Sequence, residues 1–120
     1  MQILYLEDEP LDAQLVERYL RSISSDIVLT VVKDVPSAEA ALATEPALFL
    51  VDIVLGSTRS GLDFVRTVRE LGHQQKIIVI TALTLLGDIE ECFASGCTEV
   101  IAKPFNINEL DRVLSRYIQA

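Results

Sequence analysis

The chain has 120 residues, 50% of them hydrophobic, which predicts one folded domain over residues 1–120 rather than a disordered segment. Eighteen acidic residues against ten basic ones give a net charge of −8, which argues against direct binding to nucleic acid. The apolar runs are far shorter than the roughly 20 residues of a membrane span, and the N-terminus lacks a signal-peptide pattern, so we expect a cytoplasmic protein without a membrane partner.

Five apolar runs rich in β-branched residues predict strands. The first, third and fourth runs are continuously apolar, as strands covered on both faces are. Helical patterns separate the runs, and this alternation predicts an α/β fold with a parallel sheet. The predicted strands are Ile3 to Leu6, Ile27 to Val32, Leu48 to Val51, Ile77 to Ile80, and Val100 to Ala102.

Apolar residues at helical spacing predict five helices between and after these strands. The fifth is the clearest, because Asn106 and Glu109 before its apolar stripe have the spacing of a capping box. Arg69 on the third helix is interpreted as facing solvent. The predicted helices run over Leu11 to Ile23, from around Ser37 to Ala43, over Leu62 to Leu71, from around Asp88 to Ser95, and over Leu110 to Ile118.

Charged side chains follow three of the predicted strands at the point where each strand ends. Glu7 and Asp8 come after the first strand, Asp52 after the third and Lys103 after the fifth, while Thr81 follows the fourth. Ligands of open parallel sheets bind outside the carboxyl ends of the strands. We therefore expect these side chains to meet at one edge of the sheet.

A group of carboxylates at such an edge predicts a cation site. At about 5 Å and an effective dielectric near 20, each like-charge pair costs on the order of 3 kcal/mol. Oxygen ligands without thiolate or imidazole suit Mg²⁺, for which Mn²⁺ can substitute. A carboxylate beside such an ion can also attack phosphorus, and we assign that role to Asp52, with Lys103 and Thr81 as donors to phosphoryl oxygens.

Together these residues closely resemble the receiver domain of two-component response regulators, over essentially the whole chain. The separations are 44 residues from Asp8 to Asp52, 29 from Asp52 to Thr81 and 22 from Thr81 to Lys103, as that family has them. The resemblance implies a flavodoxin-like (βα)5 sandwich with a five-stranded parallel sheet of order 2-1-3-4-5. In a sheet of this order, ligands bind where the strand order reverses.

The resemblance also implies roles for single residues. Asp52 matches the phosphoacceptor, and Glu7 and Asp8 match the acidic metal ligands. Val54 matches the position whose backbone carbonyl binds the metal. Lys103 matches the lysine that pairs with the phosphoryl group, and its bond to the following proline is usually cis in relatives.

The function implied is that of a signalling module and not of an enzyme with turnover. A sensor histidine kinase or a phosphotransfer protein would donate a phosphoryl group to Asp52, and the phosphorylated form would switch protein–protein interactions. The downstream protein would bind the face made by the fourth helix, fifth strand and fifth helix. A stand-alone receiver domain is expected, and a homodimer is compatible with it.

The sequence departs from the family pattern at three positions near the site. Val100 stands where relatives usually carry an aromatic ring that moves on activation, so coupling through the loop from Leu83 to Gly87 is the alternative route. Val54 and Leu83 are apolar where relatives can carry polar residues that orient water, which predicts slow loss of the phosphoryl group.

Three other functions compete with this one. A pseudo-receiver that binds partners without phosphorylation is the main alternative, which Val100 leaves open and the complete acidic set disfavours. A dehalogenase-like phosphatase needs an aspartate where Val54 stands, and a flavodoxin-type nucleotide binder needs a phosphate loop where the sequence is acidic.

Cys92 and Cys97 lack the spacing of a metal or redox pair and are expected to be buried or half-buried free thiols. Leu83, Leu85 and Leu86 lie in the predicted loop before the fourth helix. They are interpreted either as core residues or as an apolar partner surface.

Overall fold

The computed structural model describes residues 1–118 and contains a parallel sheet of five strands, in the order β2-β1-β3-β4-β5. The predicted order is therefore confirmed, and each predicted strand end lies within one residue of the observed one. Within the described residues, none of the helices is long and apolar enough to span a membrane. The strands are β1 (Gln2–Leu6), β2 (Val28–Val32), β3 (Leu48–Val51), β4 (Lys76–Thr81) and β5 (Glu99–Ala102).

Helices cover both faces of this sheet. A 3-10 turn over Leu42–Thr44 follows the second helix. The first and third helices lie within two residues of their predicted bounds, and the fourth begins two residues before its prediction. The helices are α1 (Pro10–Ile23), α2 (Val35–Ala41), α3 (Ser60–Glu70), α4 (Leu86–Ser95) and α5 (Ile107–Leu114).

The second helix begins two residues earlier than predicted because of its cap. Asp34 precedes the helix in an extended conformation, and its side chain accepts a hydrogen bond of 2.8 Å from the Ser37 amide. Pro36 lies in the first turn, where a missing N–H costs nothing. Asp34, with Pro36 two residues later, therefore marks the start of this helix in the sequence.

The fifth helix ends at Leu114, four residues before the end of its apolar stripe. The predicted cap forms on one side, since the Asn106 side chain accepts from the Glu109 amide at 2.9 Å. Beyond the helix, the amide of Ile118 still donates to the Leu114 carbonyl, and the Ile118 side chain is buried. The stripe thus marks the buried face correctly but continues through a turn past the helix.

Alternate residues of the central strands supply two separate cores. Leu4, Leu6 and Phe49 face the core built with α2, α3 and α4, whereas Ile3 and Leu50 face the core built with α1 and α5. This is the period of two that a strand imposes on its side chains. Because helices cover both faces, a ligand reaches the sheet at the strand ends.

Arg69 does not face solvent as the sequence suggested. Its guanidinium group donates to the carbonyls of Gly96 (2.9 Å), His73 (2.8 Å) and Gln75 (2.8 Å). The side chain thereby joins the end of α3 to the end of α4 and to the approach to β4. It satisfies three carbonyls in the segments that follow these two helices.

The two cysteines are buried free thiols, as predicted. They lie where α4 ends, and the Cys97 amide donates to the Cys92 carbonyl at 3.2 Å, across a glycine in the left-handed conformation. Burial raises the pKa of Cys92, and it raises the pKa of Cys97 to about 12.

We predict that neither thiol of the folded protein reacts readily with a disulfide reagent at about pH 8, since the thiolate is the reactive form. In denaturant both should react at the rate of ordinary exposed thiols. Absorbance of the released thiolate measures the rate and the number of thiols. Fast reaction of either cysteine in the native protein would contradict the burial described here.

Candidate functional site

Backbone hydrogen bonds carry the sheet one residue past its strands and fix the positions of the site residues. The Glu7 amide donates to the Val32 carbonyl and the Asp52 amide to the Leu6 carbonyl, both at 2.9 Å. The Lys103 amide donates to the Thr81 carbonyl at 2.8 Å. The three charged side chains therefore extend from the strand ends at the same edge.

Three of the predicted residues form a compact carboxylate cluster. One oxygen each from Glu7, Asp8 and Asp52 lies within 4.8 Å of the others. Glu7 is 1% exposed and Asp52 is 4% exposed, so water screens the repulsion between them poorly. The cluster borders an open cleft of about 290 Å³ whose lining also includes Val54 and Ala82.

The ammonium group of Lys103 lies among carboxylates. Its Nζ atom is 2.8 Å from Glu7 Oε1, 2.9 Å from Asp52 Oδ2 and 2.9 Å from Asp12 Oδ2. The peptide bond from Lys103 to Pro104 is cis, as the resemblance implied. Burial lowers the pKa of Lys103, but hydrogen bonds to the three carboxylates raise it by more, so the side chain is a cation.

Asp12 is a contact of Lys103 that the sequence reasoning missed. It lies in the first turn of α1, where an acidic side chain is favoured by the helix dipole, and its side chain is 34% exposed. A signal was present, since Asp12 lies in the first turn of the predicted helix that directly follows Glu7 and Asp8. It is the most exposed of the three carboxylates that Lys103 contacts.

Two of the carboxylates also accept hydrogen bonds from the loop after β3. Asp52 Oδ1 accepts from the Val54 amide at 3.1 Å, and Asp8 Oδ2 accepts from the Gly56 amide at 2.6 Å. Gly56 has a φ of 63°, a conformation that glycine adopts without strain. The loop thus wraps the acidic cluster and brings the backbone of Val54 to the cleft.

Thr81 lies at the same edge but is oriented differently from the other predicted residues. Its side chain is fully buried, and its hydroxyl oxygen accepts from the Leu83 amide at 3.2 Å. The neighbouring Ala82 is the residue that lines the cleft. The hydroxyl is thus engaged by the loop that leads to α4.

Glu7 receives three hydrogen bonds. Its Oε1 atom accepts from the Tyr5 hydroxyl at 2.9 Å as well as from Lys103, and its Oε2 atom accepts from the Glu9 amide at 3.3 Å. Burial nevertheless raises the pKa of Glu7 to about 7, against the opposing effect of Lys103. Burial also raises the pKa of Tyr5 far above its ordinary value, so the phenol stays a donor.

The donor set of this edge fits a hard divalent cation. Glu7, Asp8, Asp12 and Asp52 place four carboxylates around one ammonium group, so negative charge is in excess. The cleft leaves one side open to water, and neither cysteine nor histidine contributes to the described cluster. Such an oxygen site suits Mg²⁺, which keeps several waters, or Mn²⁺.

The start of α3 packs directly on the backbone of Asp52. The Gly61 amide donates to the Ile53 carbonyl at 2.9 Å. A Cβ atom at position 61 would lie 1.9 Å from the Asp52 carbonyl oxygen and 2.7 Å from the Ile53 Cα atom. Only glycine allows this approach, and it fixes the strand end that carries Asp52.

The sequence of this chain is similar to known proteins of one family. The family model of the response regulator receiver domain matches residues 3–115. The response regulator protein PmrA of Pseudomonas aeruginosa is 33% identical over 97% of this chain. The chain spans 53% of that protein's length and 51% of the probable C4-dicarboxylate response regulator DctR of Halalkalibacterium halodurans, so it spans about half of these curated relatives.

Solved structures give the same picture. The receiver domain of the sensor histidine kinase PA1611 from Pseudomonas aeruginosa, with a magnesium ion coordinated in its active site cleft, has a TM-score of 0.80 and 34% identity. The match covers 97% of this chain and 95% of that one. The BeF3-activated receiver domain of Klebsiella pneumoniae RstA has a TM-score of 0.85 and 26% identity, with 100% of both chains covered.

We predict that Gly61→Ala lowers the free energy of unfolding by about 1–3 kcal/mol, because the added methyl group collides with backbone that cannot move aside cheaply. Gly87→Ala is the matched control, since a Cβ there meets nothing within 4 Å. Alanine is favoured over glycine in helices, so this control should be neutral or slightly stabilising. Urea unfolding measures both variants. Equal stability of the Gly61 variant and wild type would contradict the close approach.

Proposed function

Because the chain belongs to the response regulator receiver domain family, we propose that it accepts a phosphoryl group on Asp52 and that this modification switches its contacts in two-component signal transduction. A receiver domain is a phosphoacceptor module rather than an enzyme in the ordinary sense. The observation that carries the proposal is the position of the Asp52 carboxylate, which lies 2.9 Å from the Lys103 ammonium and in one cluster with Glu7 and Asp8.

The chemistry we assign to Asp52 is nucleophilic attack on phosphorus. A new bond forms between an Asp52 oxygen and phosphorus while the bond from phosphorus to the nitrogen of the donor's phosphohistidine breaks. The product is an acyl phosphate. The imidazole nitrogen that leaves phosphorus takes up one proton from solvent, so the donor recovers a neutral imidazole. Because a carboxylate is a weak nucleophile, the step depends on relief of negative charge around it.

We propose that Glu7, Asp8, Asp52 and the backbone carbonyl of Val54 hold Mg²⁺, with Mn²⁺ as a substitute. When bound, the ion neutralises charge on the transferring oxygens. The magnesium in the cleft of the 34% identical PA1611 receiver domain supports this proposal. So does the excess of carboxylate oxygens at the same edge here.

In this proposal Lys103 changes partner on phosphorylation. Its ammonium has three donors, and three carboxylates lie within 2.9 Å of its Nζ atom. A phosphoryl oxygen on Asp52 would replace at least one of them. Asp12 is the partner most readily released, because it is the most exposed and water can take the place of Lys103 around it.

We propose that Thr81 transmits the change to the loop before α4. A phosphoryl oxygen within its reach would draw the hydroxyl toward the cleft and release the Leu83 amide, which Thr81 now holds. Since Val100 lacks the ring that moves in most relatives, the loop over Leu83 to Gly87 is the route we assign to the signal. The aspartyl phosphate adds charge enough to bias a loop with two arrangements.

Family membership implies a histidine kinase as partner, and a phosphotransfer protein is the related alternative. We propose that the downstream protein, or a second copy of the chain, binds the face of α4, β5 and α5. The exposed apolar side chains on these helices support this, namely Leu86 (74% exposed), Phe93 (49%) and Ile107 (46%). We also propose that residues 1–120 form one receiver domain and that this domain acts in the cytoplasm.

The assignment of Asp52 is tested with acetyl phosphate and Mg²⁺, using intact mass as the readout. Wild type should gain the mass of one phosphoryl group, and Asp52→Asn should gain none. Asp63→Asn is the control, since this carboxylate lies on α3 and its side chain is 75% exposed. A mass gain that survives in the Asp52 variant would refute the assignment. No gain in wild type would favour binding that is independent of phosphorylation.

We predict that the aspartyl phosphate persists well beyond seconds in Mg²⁺ buffer, because Val54 and Leu83 offer no polar group to orient a water molecule. Val54→Asn should shorten its half-life by roughly tenfold or more, as positioned polar groups do in proton transfer. Val28→Asn, at an exposed position of β2, is the matched control and should leave the half-life unchanged. Loss of phosphoryl label from wild type within seconds would contradict the prediction.

A further inference from the structure

Tyr5 is a buried polar residue next to the acidic cluster to which neither the family resemblance nor the mechanism above gives a role. It lies on β1, is completely buried, and belongs to the core that α1 and α5 cover. Its hydroxyl donates to Glu7 Oε1 at 2.9 Å, in a buried hydrogen bond. The two residues are two apart in an extended segment, so their side chains leave the backbone on the same side.

The hydroxyl of Tyr5 is not needed to fill the core, because phenylalanine would occupy nearly the same space. A phenol in an apolar core costs free energy unless it finds a partner, and the partner here is one atom of a proposed metal ligand. That atom, Glu7 Oε1, also accepts from Lys103 at 2.8 Å. Tyr5 is therefore the donor that remains on Oε1 if Lys103 turns toward a phosphoryl group.

We propose that Tyr5 is a positioning residue that holds the Glu7 carboxylate in the orientation needed to share a divalent cation with Asp8 and Asp52. By occupying a lone pair of Oε1, it fixes the plane of the carboxylate, while Oε2, which accepts one hydrogen bond, keeps a lone pair for a cation. Groups that hydrogen-bond to a metal ligand without touching the metal typically affect metal affinity strongly. The inference rests on the proposed metal site, but the role of Tyr5 can be refuted while the metal site itself stands.

A second tyrosine of the chain provides a matched control. Tyr19 is also buried, and its hydroxyl also donates to a carboxylate, Asp111 Oδ1, at 2.8 Å. Asp111 lies on α5 and is not part of the carboxylate cluster. Tyr19→Phe therefore removes the same kind of hydrogen bond from the same core without touching Glu7.

The first test compares Mg²⁺ affinity by calorimetry for wild type, Tyr5→Phe and Tyr19→Phe, without a phosphodonor. We expect Tyr5→Phe to weaken Mg²⁺ binding by about tenfold, which is the smaller effect typical of losing a group that hydrogen-bonds to a metal ligand. Tyr19→Phe should bind as wild type does. Unchanged affinity of Tyr5→Phe, or equal weakening in both variants, would overturn the proposal.

A second test does not depend on the Tyr5 variant folding. In the double variant Tyr19→Phe and Tyr117→Phe, Tyr5 is the remaining tyrosine of the chain, which has three tyrosines and no tryptophan. Mg²⁺ should then produce an ultraviolet difference spectrum at tyrosine wavelengths, with the same midpoint as the calorimetric titration. No spectral change at saturating Mg²⁺ would overturn the role of Tyr5.

These measurements also separate this proposal from the proposed function. Wild type that binds Mg²⁺ but gains no phosphoryl mass would refute phosphoryl acceptance and leave the role of Tyr5 to be decided by the affinities. Wild type that gains phosphoryl mass, together with Tyr5→Phe that binds Mg²⁺ normally, would refute only the role of Tyr5.

Discussion

The site depends on one ammonium group that faces more negative charge than it can neutralise. Lys103 lies within 2.9 Å of carboxylate oxygens from Glu7, Asp12 and Asp52, and Asp8 completes the acidic cluster. Two carboxylates at about 5 Å repel each other by roughly 3 kcal/mol at an effective dielectric of 20. One lysine offsets part of this repulsion, and the excess that remains is what a divalent cation would relieve.

The rest of the fold serves to hold this unfavourable arrangement together. Parallel strands bring their carboxyl ends to one edge, and backbone hydrogen bonds continue the sheet through Glu7, Asp52 and Lys103. The loop after β3 contributes amide donors to two of the acids, and Gly61 lets α3 press against the backbone of Asp52. These contacts hold the carboxylates in position. The parts left to move are the Lys103 side chain and the loop whose Leu83 amide donates to the Thr81 hydroxyl.

Much of this could be predicted from the sequence because it depends on local patterns. Apolar runs located the strands, and the charged residues after three of them located the edge. Lys103 was correctly placed near Asp52, since both residues follow strands of one parallel sheet. The burial of both cysteines was predicted from their lack of a metal or redox spacing, since free cysteine is usually buried.

The misses at Arg69 and Asp12 share a physical cause, which is that they depend on contacts between segments far apart in the chain. Arg69 looked like a solvent-facing residue until the ends of α3 and α4 were brought together around it. Asp12 and Tyr5 looked like ordinary residues of a helix and a strand. Their periodicity told which side they face, but not that Lys103 and Glu7 would be within hydrogen-bond distance.

The bounds of the helices failed for local reasons. The Asp34 cap makes α2 begin two residues earlier than predicted. The apolar stripe of α5 continues past the end of the helix into a turn, where Ile118 is buried. An amphipathic pattern records which residues are buried, and burial here extends beyond the last residue of the helix.

The central claim is that the acidic edge requires a cation, and urea unfolding of Lys103→Met with and without Mg²⁺ tests it most directly. In chelator the variant should be less stable than wild type, because the carboxylates lose their only described cationic partner. Saturating Mg²⁺, compared with sodium chloride of the same ionic strength, should remove most of that deficit, since a bound divalent ion stabilises the folded state. A deficit of the same size in chelator and in Mg²⁺ would contradict the account.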